Sequence, residues 1–97
     1  MLVLITYDVN VISEGGERRL RRIAKTCLDY GVRVQNSVFE CEVDPAQLAL
    51  LQSQLLDVYN PKIDSLRFYF LGKKGYQKVQ HYGAKATPNP LRDNLIL

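Results

Sequence analysis

Ninety-seven residues, 46% apolar and 24% charged, have the composition of one small globular domain, which excludes a disordered chain and leaves room for a single core. No run of about 18 apolar residues is present and the N-terminus lacks the order of a signal peptide, so a cytosolic protein without a membrane segment is expected. The net charge of +3 is too small to name a partner, so the placement of the charges matters more than their sum.

The chain opens on a strand. Leu2, Val3, Leu4 and Ile5 are apolar on both alternating faces, which predicts a central strand covered on both sides. At its end Tyr7 and Asp8 lead into a polar loop with Asn10, Ser13, Glu14, Gly15 and Gly16. A carboxylate at that rim either caps the loop through nearby amides or serves as a metal or catalytic group.

Leu20, Ile23, Ala24, Cys27 and Leu28 recur at helical spacing and predict an amphipathic helix over residues 17–30, stopped by Gly31. Arg18, Arg19, Arg21, Arg22 and Lys25 make its other face basic, either as a solvated surface or as a holder of phosphates beside Asp8. Residues 32–43 read as a strand hairpin turning near Gln35, Asn36 and Ser37, with Phe39, Cys41 and Val43 on the core face. Phe39 is then a core side chain or a platform for a stacked base. Cys27 and Cys41, distant and at apolar positions, suit free thiols, and with a single histidine they argue against zinc.

Asp44-Pro45-Ala46-Gln47 carries an N-cap acid, a proline at the first helical position and a capping-box glutamine. The helix it starts has the stripe Leu48, Leu51, Leu55, Val58 and Tyr59, and Asn60-Pro61 ends it. Residues 64–71 form a strand with Leu66, Phe68 and Phe70 on one face. Strand, helix, strand, strand, helix, strand is the ferredoxin-like α+β pattern, a four-stranded antiparallel sheet with both helices on one face. The uncovered face predicts a homodimer packed through the sheets, which would set Asp8 opposite its counterpart and so allow Mg²⁺ to bind between two carboxylates.

Beyond Gly72 five basic residues, Lys73, Lys74, Lys78, Lys85 and Arg92, face one acid, Asp93. Residues 76–82 read as a short fifth strand. The tail is either a solvated end or a strand exchanged with a partner. His81 is read as an exposed polar residue. Residues 1–83 are taken as the domain and residues 84–97 as the tail.

Tyr7-Asp8, the arginine-rich first helix, Tyr30-Gly31, the block Arg33-Val34-Gln35-Asn36-Ser37-Val38-Phe39-Glu40 and Asp64-Ser65-Leu66-Arg67-Phe68-Tyr69 together resemble the small CRISPR-associated endonucleases, over residues 1–83. The resemblance implies a ferredoxin-like homodimer acting with the CRISPR integrase to insert new spacers. It also implies metal-dependent cleavage of single-stranded RNA or double-stranded DNA. It makes Asp8 the shared metal-binding and catalytic aspartate, and puts Tyr7, Arg33, Ser37 and Phe39 at the site. Arg18, Arg19 and Arg22 match its phosphate-binding arginines in character. Against catalysis, no histidine, glutamate or lysine has a recognisable base spacing to Asp8, with Glu14 and Glu17 only loop-side candidates. The alternative is a dimeric scaffold that bridges double-stranded DNA while the integrase does the chemistry. A metabolite-sensing module on the same fold is the remaining class.

Overall fold

The computed structural model describes residues 1–72 and 75–84. In chain order the elements are β1 (Leu2–Asp8), α1 (Gly16–Leu28), β2 (Gly31–Gln35), β3 (Val38–Glu42), α2 (Pro45–Val58), β4 (Ser65–Gly72) and β5 (Gly75–Gly83). The strands form one antiparallel sheet in the order β2-β3-β1-β4-β5. This is the predicted βαββαβ arrangement with a fifth strand added beside β4. Among the described residues no helix is long and apolar enough to cross a membrane.

β1 is central, as its apolar run predicts, with Ile5 opposite Phe39 of β3 on one side and Phe68 of β4 on the other. Alternation divides its side chains. Val3, Ile5 and Tyr7 are buried under the helices, whereas Leu2, Leu4 and Thr6 on the other face are only half-buried and Asp8 is exposed. The expectation that both faces are covered therefore holds on one face of a single chain.

Ile23 and Cys27 of α1 and Leu51 and Leu55 of α2 fill the core against Phe39, Cys41, Val43, Leu66 and Phe68. Phe68 meets Tyr82 of β5 edge to face, ring centroids 5.9 Å apart, a favoured aromatic geometry. Both cysteines are buried free thiols, and burial pushes Cys27 up to about 12 and Cys41 up to about 11. Leu28, expected in the buried stripe of α1, is instead 55% exposed, while Cys27 beside it in the same turn is fully buried.

The two helices begin differently. Gly15 is the N-cap of α1 at φ 76° with no side-chain cap, and a Cβ on Gly16 would strike the main chain of Asn10 and Val11. The glycine pair thus lets the loop fold tightly back on itself. In α2 the predicted capping box is complete: Gln47 N–H donates to Asp44 Oδ1 at 2.7 Å, and Asp44 N–H to Gln47 Oε1 at 2.9 Å.

β2 is a short edge strand whose pairing with β3 shifts register between Arg33 and Gln35. At the other edge, β5 pairs with β4 of its own chain, Arg67 opposite His81, so residues 75–83 add a fifth strand to the sheet. His81 is half-buried, not exposed as expected, and its Nδ1 accepts from Arg67 Nε at 2.9 Å. Lys73, Lys74 and the tail from Lys85, with its Pro-rich and apolar segments, lie outside the described residues.

Asp44→Ala should remove the cap of α2 and lower unfolding stability by about 1 kcal/mol. A urea midpoint that does not move would show that the box is dispensable.

Candidate nucleic-acid site

Asp8 ends β1 on the face away from the helices, opposite Ser65 at the start of β4. Tyr7 N–H donates to the Ser37 carbonyl at 3.1 Å, which draws the β2–β3 turn against the same end of the sheet. Asp8, Ser37 and Ser65 therefore share one rim. The following loop carries the chain over that rim to α1, whose first turns present Arg18, Arg21 and Arg22 outward. An open cleft of about 460 Å³ lies here, lined by Val11, Ser13, Glu14, Gly15, Gly16, Glu17, Arg18 and Arg21.

Three of the predicted site residues lie elsewhere. Tyr7 and Phe39 are buried under the helices, stacked with centroids 6.1 Å apart. Arg33, opposite Phe39 in the β2–β3 ladder, covers that ring at 5.2 Å, a cation–π contact on the helix side. Burial pushes the Tyr7 hydroxyl above its ordinary value despite the neighbouring Arg33, and that hydroxyl donates to the Asn36 carbonyl at 3.3 Å. Phe39 is thus a core residue, not a base platform. Tyr7 supports the β2–β3 turn from inside, with the sheet between its ring and Asp8.

Arg19 also departs from expectation. Its guanidinium turns inward onto Asp64, Nε to Oδ2 at 2.7 Å and Nη2 to Oδ1 at 3.3 Å, so it is paired with a buried carboxylate while Arg18, Arg21 and Arg22 are exposed. Asp64 is fully buried, and it also accepts the main-chain N–H groups of Asn10 at 3.0 Å and Asn60 at 2.9 Å. Burial by itself would raise this carboxyl. The Arg19 hydrogen bonds, the two amides and the Arg19 charge outweigh it and hold the group below its ordinary value. Truncating Arg19 would strand a buried carboxylate at a cost of about 3–5 kcal/mol. Sequence reading missed Asp64, whose partner Arg19 is 45 positions away, but the inward turn of Arg19 was signalled by its place one helical turn before Ile23.

Among the described residues no three His, Cys, Asp or Glu side chains are grouped so as to hold a metal ion. Asp8 is one carboxylate, and one carboxylate is a poor Mg²⁺ site. The donor set fits a divalent cation only when a second copy brings its own Asp8.

An antiparallel sheet carrying two helices on one face, with an exposed carboxylate at the end of its central strand and a helix with outward arginines following in the chain, defines a small α+β protein of the ferredoxin-like class. Comparison gives the family. The model of the family described as CRISPR associated protein Cas2 matches residues 1–79. The chain is 62% identical over 97 residues, all of both chains, to a CRISPR-associated endoribonuclease Cas2 of Chlorobaculum tepidum. It is 54% identical over 96 residues, 99% of each, to a CRISPR-associated endonuclease Cas2 of Halalkalibacterium halodurans. Among solved structures, Streptococcus pyogenes Cas2 superposes with a TM-score of 0.71 at 55% identity, covering 75% of this chain and 88% of that one. The chain belongs to the Cas2 family of CRISPR-associated proteins.

The depressed Asp64 carboxyl predicts an acid limb of stability. Its contribution is complete above the unfolded-state value of about 3.9 and is lost as pH falls through the lower folded-state value. The stability gap between wild type and Asp64→Asn, measured by urea unfolding, should be constant above about pH 5 and close below about pH 4. A gap independent of pH would show that the Asp64 charge contributes nothing.

Proposed function

We propose that the chain is a cytosolic CRISPR adaptation nuclease that works as a two-fold dimer with the CRISPR integrase in antiviral defence and cleaves phosphodiester bonds of RNA or DNA. The observation that carries this reading is the exposed Asp8 carboxylate on the sheet face that the helices leave uncovered. The names of the relatives, endoribonuclease and endonuclease, support nuclease chemistry. The half-buried Leu2, Leu4 and Thr6 around the same strand support a second copy of the sheet as the missing cover.

In this reading Asp8, together with its counterpart in a second copy of the chain, would hold a Mg²⁺ ion, which when bound would supply Lewis-acid polarisation of a phosphoryl group. Arg18, Arg21 and Arg22 hold flanking phosphates through charge-assisted hydrogen bonds and stabilise charge that develops on them. Glu14 and Glu17, on the cleft wall with Arg18 and Arg21, are the carboxylates nearest those arginines in sequence. No side chain in this set reads base edges, so binding is governed by backbone charge rather than sequence.

The single carboxylate per chain favours a second reading, a scaffold that bridges double-stranded DNA while the integrase does the chemistry. It needs only the basic helix starts and two-fold symmetry.

Asp8→Ala should abolish Mg²⁺-stimulated cleavage of short double-stranded DNA and single-stranded RNA, leaving association and nucleic-acid binding intact. Equal residual cleavage in wild type and variant would select the scaffold; loss of association would make Asp8 structural. Combined Arg18→Ala and Arg22→Ala should weaken binding to every sequence and flatten log affinity against log salt by about 0.7–0.9 for each phosphate no longer neutralised. An unchanged slope would return that helix face to solvent.

A further inference from the structure

The loop between Asp8 and the basic helix is held by a residue that neither element supplies. Asp64 stands just before β4, and four separate parts of the chain converge on it. Its carboxylate takes Asn10 N–H from the loop, the Arg19 fork from α1 and Asn60 N–H from the end of α2. Its main-chain carbonyl accepts Ala84 N–H, just past β5, at 3.1 Å, and a Cβ on Gly83 (φ 114°) would strike that carbonyl. Arg19 passes the grip on, donating from Nη1 to the Glu14 carbonyl at 3.0 Å and from Nη2 to Ser13 Oγ at 2.8 Å. Apolar packing does little for this loop, since Val11 is 44% and Ile12 94% exposed.

We propose that Asp64 is a positioning residue for the nucleic-acid site. The Asp64–Arg19 pair fixes residues 10–16 and so sets where Arg18, Arg21 and Arg22 meet a phosphate backbone relative to Asp8. This inference rests on the phosphodiester reading above.

A planar, bidentate pair suits the task because it fixes direction as well as distance. Cleavage depends on placement to a fraction of an ångström, whereas electrostatic binding counts charges. Loosening the clamp therefore separates the two. Asp64→Asn keeps the charge of every outward arginine but releases Arg19 and with it their placement, so cleavage falls while non-specific binding does not.

The test uses the protein and its Asp64→Asn variant, with short single-stranded RNA and double-stranded DNA as probes. Single-turnover cleavage at saturating substrate should fall on the order of tenfold or more. Affinity at low salt should hold or rise, and the salt slope should steepen by about 0.7–0.9 per freed arginine. The amides of Asn10, Ser13 and Gly16 should exchange hydrogen faster, on the order of tenfold. A purely structural role would lower binding and cleavage together, in step with the folded fraction, and would leave the slope alone.

Unchanged cleavage in the variant, or unchanged loop exchange and salt slope, would overturn the proposal. If wild type cleaves neither probe, the phosphodiester reading fails by itself, and exchange and salt slope still judge the clamp. If Asp64→Asn does not fold, Arg19→Lys, which keeps the charge beside Asp64 but loses the fork, carries the exchange and cleavage measurements with the same outcomes.

Discussion

Side chains on a strand alternate, and two helices can cover only one face of a sheet. Much of this molecule follows from those two facts meeting at β1. Val3, Ile5 and Tyr7 point to the helices and make the core with Phe39, Leu66 and Phe68. Leu2, Leu4, Thr6 and Asp8 have no helix above them. The same alternation that buries Tyr7 exposes Asp8, so the core and the candidate site are two sides of one strand.

The charges are sorted with similar economy. Of the arginines at the start of α1, Arg19 lies on the stripe that continues through Ile23 and Cys27, and it meets Asp64. Arg18, Arg21 and Arg22 face outward. One cation orders the loop while its neighbours remain available to an anion. A buried pair of this kind contributes little net stability compared with apolar packing; it specifies one loop conformation that exposed Val11 and Ile12 do not.

Local patterns were readable where local physics decides. The alternation of Phe39, Cys41 and Val43, and the run Asp44-Pro45-Ala46-Gln47, carry strand facing and helix start in a few adjacent residues. All of these form as expected. The candidate site was readable only in part. Asp8 stands out at the end of an apolar run, but grouping Tyr7 and Phe39 with it ignored the period of two that places them across the sheet. Arg19 could have been separated from Arg18 by helical phase. Asp64 could not have been found this way, because its partners Asn10 and Arg19 lie 54 and 45 positions away and no spacing rule reaches that far. β5 was read as a strand, but its choice of neighbour is likewise a long-range matter.

The edge strand β2 has a further consequence for how copies of this chain meet. An open strand edge invites another strand, and repeated addition joins molecules into fibres without end. Here the edge is five residues long, carries Arg33, and loses register between Arg33 and Gln35. Each feature obstructs a straight run of intermolecular ladder bonds, despite the exposed Val32 and Val34. Open-ended growth along the β2 edge is thereby obstructed, whereas a two-fold contact between sheet faces would be saturated after two copies.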